Sequence, residues 1–232
     1  MPHHSMSGTI HFVRHAETHF NVKQQLQGWC DSPLTERGER QAVALGEWMR
    51  AVPLAAAYMS DFTRTRTTMA AALAGHPHLD PKPLTELREW NFGGWEGQPN
   101  ADLWTPVFAA HGQAYSPVAA DWRTLTADGF DSVIDNIHRL DPIGRADTGA
   151  TVQARVTAAL AIVVATAERA RERDEGDVLV VTHGSVLGSL LRTLVPDYRL
   201  GAGFPNCGVL SVAVADGTWV AGALDGSCGA VS

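Results

Sequence analysis

The sequence predicts an α/β fold built on a mostly parallel central sheet flanked by helices, and three observations carry that expectation. Strand-like apolar runs alternate with segments of helical periodicity along the chain. Val178, Leu179, Val180 and Val181 form an unbroken apolar run, the pattern of a strand covered on both faces. Between residues 151 and 173, Val152, Val156, Leu160, Val163, Val164 and Ala167 fall on one helical stripe, long enough to cover such a sheet.

Taken in order, residues 1–8, which include His3 and His4, are expected to be a disordered leader, leaving 9–232 as a single domain. Two histidines without a third ligand do not make a metal site. Residues 9–13 read as the first strand. Thr35 then offers an N-cap, Glu36 sits in a first turn where the helix dipole favours an acid, and Ala42, Leu45, Trp48 and Met49 recur at helical spacing. Residues 55–60 read as a second short strand and 63–74 as a helix ended by Gly75. The long helix runs from 151 to 173, with a charged tail leading to Gly176, and 177–182 is the central strand. A helix over 185–195 stops at Pro196. Residues 209–214 and 219–224 flank Asp216-Gly217, a hairpin signal at the edge of the sheet. Residues 98–147 break this rhythm with Pro99, Pro106, Pro117, Pro142 and scattered aromatics. They read as an irregular insertion, a lid over the carboxyl edge where open α/β sheets bind ligands.

Composition sets modest bounds. Forty-five per cent apolar and 19% charged residues describe an ordinary globular chain, and a net charge of −7 argues against non-specific binding to nucleic acid or anionic membranes. An anionic substrate must then be drawn by a local cationic pocket. Apart from Lys23 and Lys82 every basic residue is Arg, which supplies forked donors for oxyanions. Cys30, Cys207 and Cys228 are odd in number and lack CxxC spacing, so a reducing, cytoplasmic location is expected rather than a disulfide framework or zinc site. No secretory leader is recognisable, and no apolar run is expected to reach membrane-spanning length.

Four places carry chemistry. Arg14-His15 stands where the first strand runs out, with Thr18 and Asn21 following; a cation beside an imidazole suits attack on an anionic group. Arg64 follows Ser60 at the start of a helix, where free amide groups already favour anions. Glu89 lies among Trp90, Phe92, Gly93, Gly94 and Trp95, an environment able to desolvate an acid and keep it protonated. His183-Gly184-Ser185 closes the central strand just before a helix. Other residues have plainer readings. Glu86 and Glu96 compete with Glu89 as the acid or serve as solvated or capping groups. Arg66 is a helix-surface residue, and Arg88 is either a substrate contact or a surface ion-pair partner. Trp90, Phe92 and Trp95 read as core aromatics, residues 201–203 as a plain turn, and His11, His76, His78, His111 and His138 as core or surface residues without metal spacing.

Together these segments resemble the histidine phosphatase superfamily, the phosphoglycerate mutase-like family. RHGE[TS]xxN matches residues 14–21, PLTExGxxQA residues 33–42, SDLxRxxxT residues 60–68 and LxExxxGxxEG residues 87–97, with the late HG at His183-Gly184. Ala16 and Phe62 replace a common Gly and Leu. The resemblance implies a three-layer α/β/α fold with a lid-like insertion. It also implies a phosphatase, acting without metal or cofactor, in which His15 becomes phosphorylated. Arg14, Arg64 and a protonated His183 would hold the phosphoryl oxygens, Asn21 and Gly184 would add substrate contacts, and Glu89 would protonate the leaving oxygen. A mutase needs further cations for a second anionic group, and residues 90–122 contain neither Lys nor Arg, which favours hydrolysis. Mutase-type phosphotransfer and a non-catalytic phosphoryl-binding module on the same fold are the alternatives. A small phosphomonoester is the expected partner, with homodimerisation left open.

Overall fold

The computed structural model of the chain describes residues 8–117, 121–127, 129–198 and 203–231. Residues 1–7 of the expected leader and residues 201 and 202 of the expected turn lie outside the described residues.

Strands β1 (Ile10–Arg14), β2 (Leu54–Met59), β3 (Lys82–Pro83) and β4 (Asp177–Thr182) run parallel. β5 (Val209–Ala215) pairs antiparallel with β1, and β6 (Thr218–Asp225) antiparallel with β5. Among the described residues they form one six-stranded sheet in the order β3-β2-β4-β1-β5-β6. The mostly parallel sheet is therefore present, with an antiparallel hairpin on one flank. β4 lies between β1 and β2 and is buried at every position, as its apolar run requires.

Side chains alternate across a strand, so the sheet has two apolar faces. On one, Ile10, Phe12, Val178, Val180, Leu210 and Val212 pack under α7 (Gly149–Arg173) and α8 (Gly184–Leu194). On the other, Val13, Ala57, Met59, Leu179 and Val181 pack on α2 (Glu36–Met49) and α3 (Thr63–Ala72). The three layers follow. A short α1 (His19–Val22) precedes α2, and the sequence pattern gave no sign of it or of the two-residue β3.

The segment 98–147 corrects the expectation of irregular chain. It contains α4 (Asn100–Ala110), α5 (Trp122–Leu125) and α6 (Phe130–Leu140). Pro99 occupies the N-cap of α4, where its missing N–H costs nothing, and Pro106 is carried inside the helix. Leu103 with Val107 and Trp104 with Phe108, each pair four residues apart, bury one face of α4 in the core below α7.

Helix α7 also corrects an expectation, since an 18-residue window within its 25 residues reaches a mean hydropathy of 1.5, enough by length and composition to cross a membrane. Here Val152, Val156, Leu160, Val163 and Ala167 are spent on the sheet, so one face of α7 covers the core while the other is exposed. Its caps are local. The Thr148 side chain accepts from Thr151 N, and Asp174 closes the helix in the left-handed region at φ 53°.

α2 and α3 cross closely because Gly46 lacks a side chain: a Cβ there would lie 2.4 Å from the Ala71 carbonyl oxygen. Gly46→Ala should lower unfolding stability by about 1–3 kcal/mol through overpacking. Val43→Ala, at a 61% exposed position of the same helix, should change it by less than about 0.5 kcal/mol. Urea unfolding of both variants checks this, and equal losses would contradict the close crossing.

Candidate active site

β1, β2 and β4 end side by side, which gathers the chemistry at one edge. His15 N donates to Thr182 O at 2.9 Å, Ser60 N to Val181 O at 3.2 Å, and Leu84 N to Met59 O at 2.8 Å. The ends of these three strands carry Arg14-His15, Ser60 and Arg64, and His183, and the segment after β3 carries Glu89.

The turn after β1 is held from several sides. The His15 Nδ1–H donates to Ala16 O at 2.8 Å, which leaves Nε2 with its lone pair. Ala16 N donates to Thr68 Oγ1, whose hydroxyl donates to Arg64 O, and Asn206 Nδ2 donates to His15 O. Glu17 N donates to Gln41 Oε1, and Glu17 O accepts from Thr35 N. A Cβ on Gly38 would sit 2.0 Å from that same carbonyl oxygen, so the turn docks directly on the first turn of α2. Thr35, Gly38, Gln41 and Thr68 thus serve to position His15. Burial, then the charges of Arg64 and Arg14, depress the His15 pKa well below 6.5, so the ring is neutral.

The cations differ in setting. Arg14 Nη1 donates to Phe204 O at 2.7 Å, while its buried Nε has no hydrogen-bond partner. Such an orphan is costly, and it marks where an anion would be welcome. A Cβ on Gly184 would come within 3.5 Å of this nitrogen, so glycine keeps the space beside it open. Arg64 is 1% exposed, and all five of its N–H groups are taken. They donate to His183 Nδ1, Cys30 O, Asp31 Oδ1, Gln27 O and Gly28 O. Direct contact of Arg64 with a phosphoryl oxygen requires one of these bonds to be exchanged.

The expected protonated His183 is corrected by this geometry. Its Nδ1 accepts from Arg64 Nε at 3.1 Å, so Nε2 carries the proton and donates to Ser60 Oγ at 2.7 Å. Burial, then Arg64 and His15, hold its pKa well below 6.5. The His15 and His183 rings meet edge to face, 5.3 Å between centroids.

Glu89 is buried, and its carboxylate caps the start of α8 by accepting from Ser185 N and Val186 N, both at 2.9 Å, and from Trp90 N at 3.0 Å. Burial raises its pKa against the opposing pull of these N–H groups. Its backbone is fixed as well, since Glu89 O accepts from Trp29 Nε1 and from Arg155 Nη2. Arg155 also donates to Arg88 O and pairs with Asp147.

The competing acids have other duties. Glu96 accepts from Gly28, Trp29, Cys30 and Phe92 N, which folds the 28–30 loop. Glu86 is a partly exposed residue in the first turn of a short 3₁₀ helix. Arg88 makes a two-pronged ion pair with Asp61 at 2.7 and 2.6 Å and lies over the rings of Trp29 and Phe62. Arg66 is exposed on α3, as expected.

A cavity of about 290 Å³ opens at this edge, and Arg14, His15, Asn21, Glu89 and Gly184 are among the residues that line it. Arg64 and His183 stand behind that wall. Asn21 Oδ1 accepts from Thr18 N and Asn206 Nδ2. The rest of the wall includes Trp104, Trp122 and Phe130 from the 98–147 segment, and Trp90 and Phe92 serve both core and cavity. Arg155, Asn206 and the positioning role of Thr68 were not foreseen, because none carries a local pattern beyond its own residue type.

The family model of the histidine phosphatase superfamily (branch 1) matches residues 10–225. A curated protein of Citrobacter koseri named "Probable phosphoglycerate mutase GpmB" is 30% identical over 220 residues, covering 91% of this chain and 87% of its own. The crystal structure of phosphoglycerate mutase from Bacillus anthracis superposes with a TM-score of 0.81 at 30% identity, covering 96% of this chain and 95% of that one. A mycobacterial glucosyl-3-phosphoglycerate phosphatase shares the fold at TM-score 0.64 and 24% identity, covering 88% and 89% of the two chains.

Neutral burial of His15 has a pH signature. Its native pKa is depressed below the ordinary 6.5, so beneath that value the unfolded chain binds the extra proton and stability falls as pH drops. His15→Asn removes this group and should flatten the fall by up to about 1.4 kcal/mol per pH unit below about pH 6.5. Urea unfolding across pH reads the slope. Identical slopes in the two proteins would contradict a neutral His15.

Proposed function

Because this chain belongs to branch 1 of the histidine phosphatase superfamily, we propose that it hydrolyses a phosphomonoester through a phosphohistidine on His15. The observation that carries the reading is the fixed tautomer of His15. Its Nδ1–H is committed to Ala16 O, and Nε2 is free to attack at a cavity wall shared with Arg14 and Glu89.

In the first half-reaction Nε2 forms a bond to phosphorus as the ester P–O bond breaks, and protonated Glu89 delivers its proton to the departing alkoxide. In the second, Glu89 as carboxylate takes a proton from water, whose oxygen displaces the histidine and releases phosphate. Burial raises the Glu89 pKa and so favours the acid form needed at the start. Arg14 and the N-terminus of α8 face the phosphoryl oxygens, with Asn21 and Gly184 beside them. Arg64 adds its charge from behind and orients His183. Neutralisation is assigned to these groups without a metal or cofactor. Free Cys30, Cys207 and Cys228 suit a reducing compartment, and the proposal locates the reaction in the cytoplasm.

Hydrolysis is preferred to phosphotransfer because Arg14 is the one Lys or Arg among the described side chains lining the cavity. A mutase must hold a second anionic group through the lifetime of the intermediate. The names of the curated relatives favour that second reading, and product analysis separates the two.

Rapid quenching of the parent enzyme should trap an acid-labile phosphoryl adduct, and His15→Ala should abolish both that adduct and phosphate release. Glu89→Gln should cut kcat by about 10²–10⁴-fold while the adduct still forms with an activated ester. Unchanged hydrolysis in His15→Ala would overturn the mechanism, and interconversion of phosphoglycerates outpacing phosphate release would establish the mutase reading.

A further inference from the structure

Resting on the phosphatase reading above, we infer that the substrate is a small phosphomonoester of a neutral alcohol bearing one compact, flat apolar ring. A phosphorylated carboxylic acid is disfavoured. Two parts of the cavity wall differ in chemistry. At the first, Arg14, His15 and Glu89 meet the phosphoryl group. At the second, Trp104, Trp122 and Phe130 are joined by Leu26, Phe92 and Val133.

These aromatics hold one another in place. Trp104 and Trp122 meet edge to face with centroids 4.8 Å apart, Phe92 and Trp104 do so at 6.2 Å, and Trp90 and Phe130 at 5.6 Å. Interlocked rings present a preformed apolar slot, so a flat group enters without ordering loose side chains. The uncharged polar part of the wall consists of the amides of Asn21, Gln25, Gln27 and Asn100 and the hydroxyls of Thr126 and Ser185. They can meet a hydroxyl or a ring heteroatom but do not neutralise a carboxylate.

Charge points to the class. Among the described lining side chains Arg14 is the one cation, and the phosphoryl dianion uses it. A second anion on the substrate would be buried against tryptophan and phenylalanine with its desolvation uncompensated. Size points the same way. About 290 Å³ stands at the lower end of small-molecule sites and accommodates a phosphoryl group with a single ring. The apolar residues that define the slot on α4, α5 and α6 are separate from those that do the chemistry, so the two can be altered independently.

The test compares benzyl phosphate, glycerol 3-phosphate, 3-phosphoglycerate and a phosphotyrosyl peptide in one phosphate-release assay, the first three having alcohol leaving groups of similar strength. Benzyl phosphate should exceed 3-phosphoglycerate in kcat/KM by at least about tenfold. Trp122→Ala, with Phe130→Leu as a milder second variant, should lower kcat/KM for benzyl phosphate about tenfold or more through KM. Inhibition by inorganic phosphate should be unchanged in both. A preference for 3-phosphoglycerate, a preference for the peptide, or equal losses on benzyl and glycerol phosphates in the variants would each overturn the substrate class. The phosphatase reading would survive those results. It falls instead, and this inference with it, if none of the esters is hydrolysed and no phosphohistidine forms.

Discussion

A guanidinium with no solvent exposure is the constraint around which the site is arranged. The Arg64 side chain is fully enclosed, and a buried charge is tolerated only when its donors are all met. The 27–31 loop supplies four acceptors by curling its carbonyls and Asp31 around the side chain, and His183 supplies the fifth. That single requirement decides the path of the loop, the tautomer of His183 and the electrostatic climate of His15. Glu96 works from the other side of the same loop, taking three of its backbone N–H groups. One ion organises the carbonyls and another the amides, and the loop has little freedom left.

Two neutral imidazoles beside two arginines are a poor choice for stability, and under the proposed mechanism a good one for attack on an anion. The field that keeps His15 unprotonated also stabilises negative charge arriving at its Nε2. Glu89 shows the opposite balance: burial favours its protonated form, while the α8 amides favour its carboxylate. An acid poised between two such influences can give up a proton and recover it. The positioning groups, Thr68, Asn206 and Arg155, act through backbone carbonyls and amides, so they set orientation and leave the reacting atoms untouched.

Much of this was legible because it is local. An uninterrupted apolar run announced β4, a capping Thr35 announced α2, and residues at strand ends announced the edge where His15, Arg64 and His183 gather. What escaped was either short or non-local. Pro99 and Pro106 look like breakers, yet one stands at a cap and the other is carried because Leu103, Trp104, Val107 and Phe108 are well buried. The four-residue α1 has too few positions for periodicity to register. Charge type at His183 depended on an arginine 119 residues away, and Arg155 reaches Glu89 across 66 residues. No window of sequence contains such pairs.

The strand order has a consequence for the growing chain. β4 joins β1 on one side and β2 on the other, so until residues 177–182 have been synthesised the sheet exists as disconnected pieces. Helix α7 is completed just before them, its long apolar stripe made ahead of the strand it covers. Folding therefore waits for the last quarter of the polypeptide, with distant contacts closing late and apolar surface exposed meanwhile. A chain that stops before β4 lacks the strand joining β1 to β2 and leaves the apolar stripe of α7 without the surface it covers.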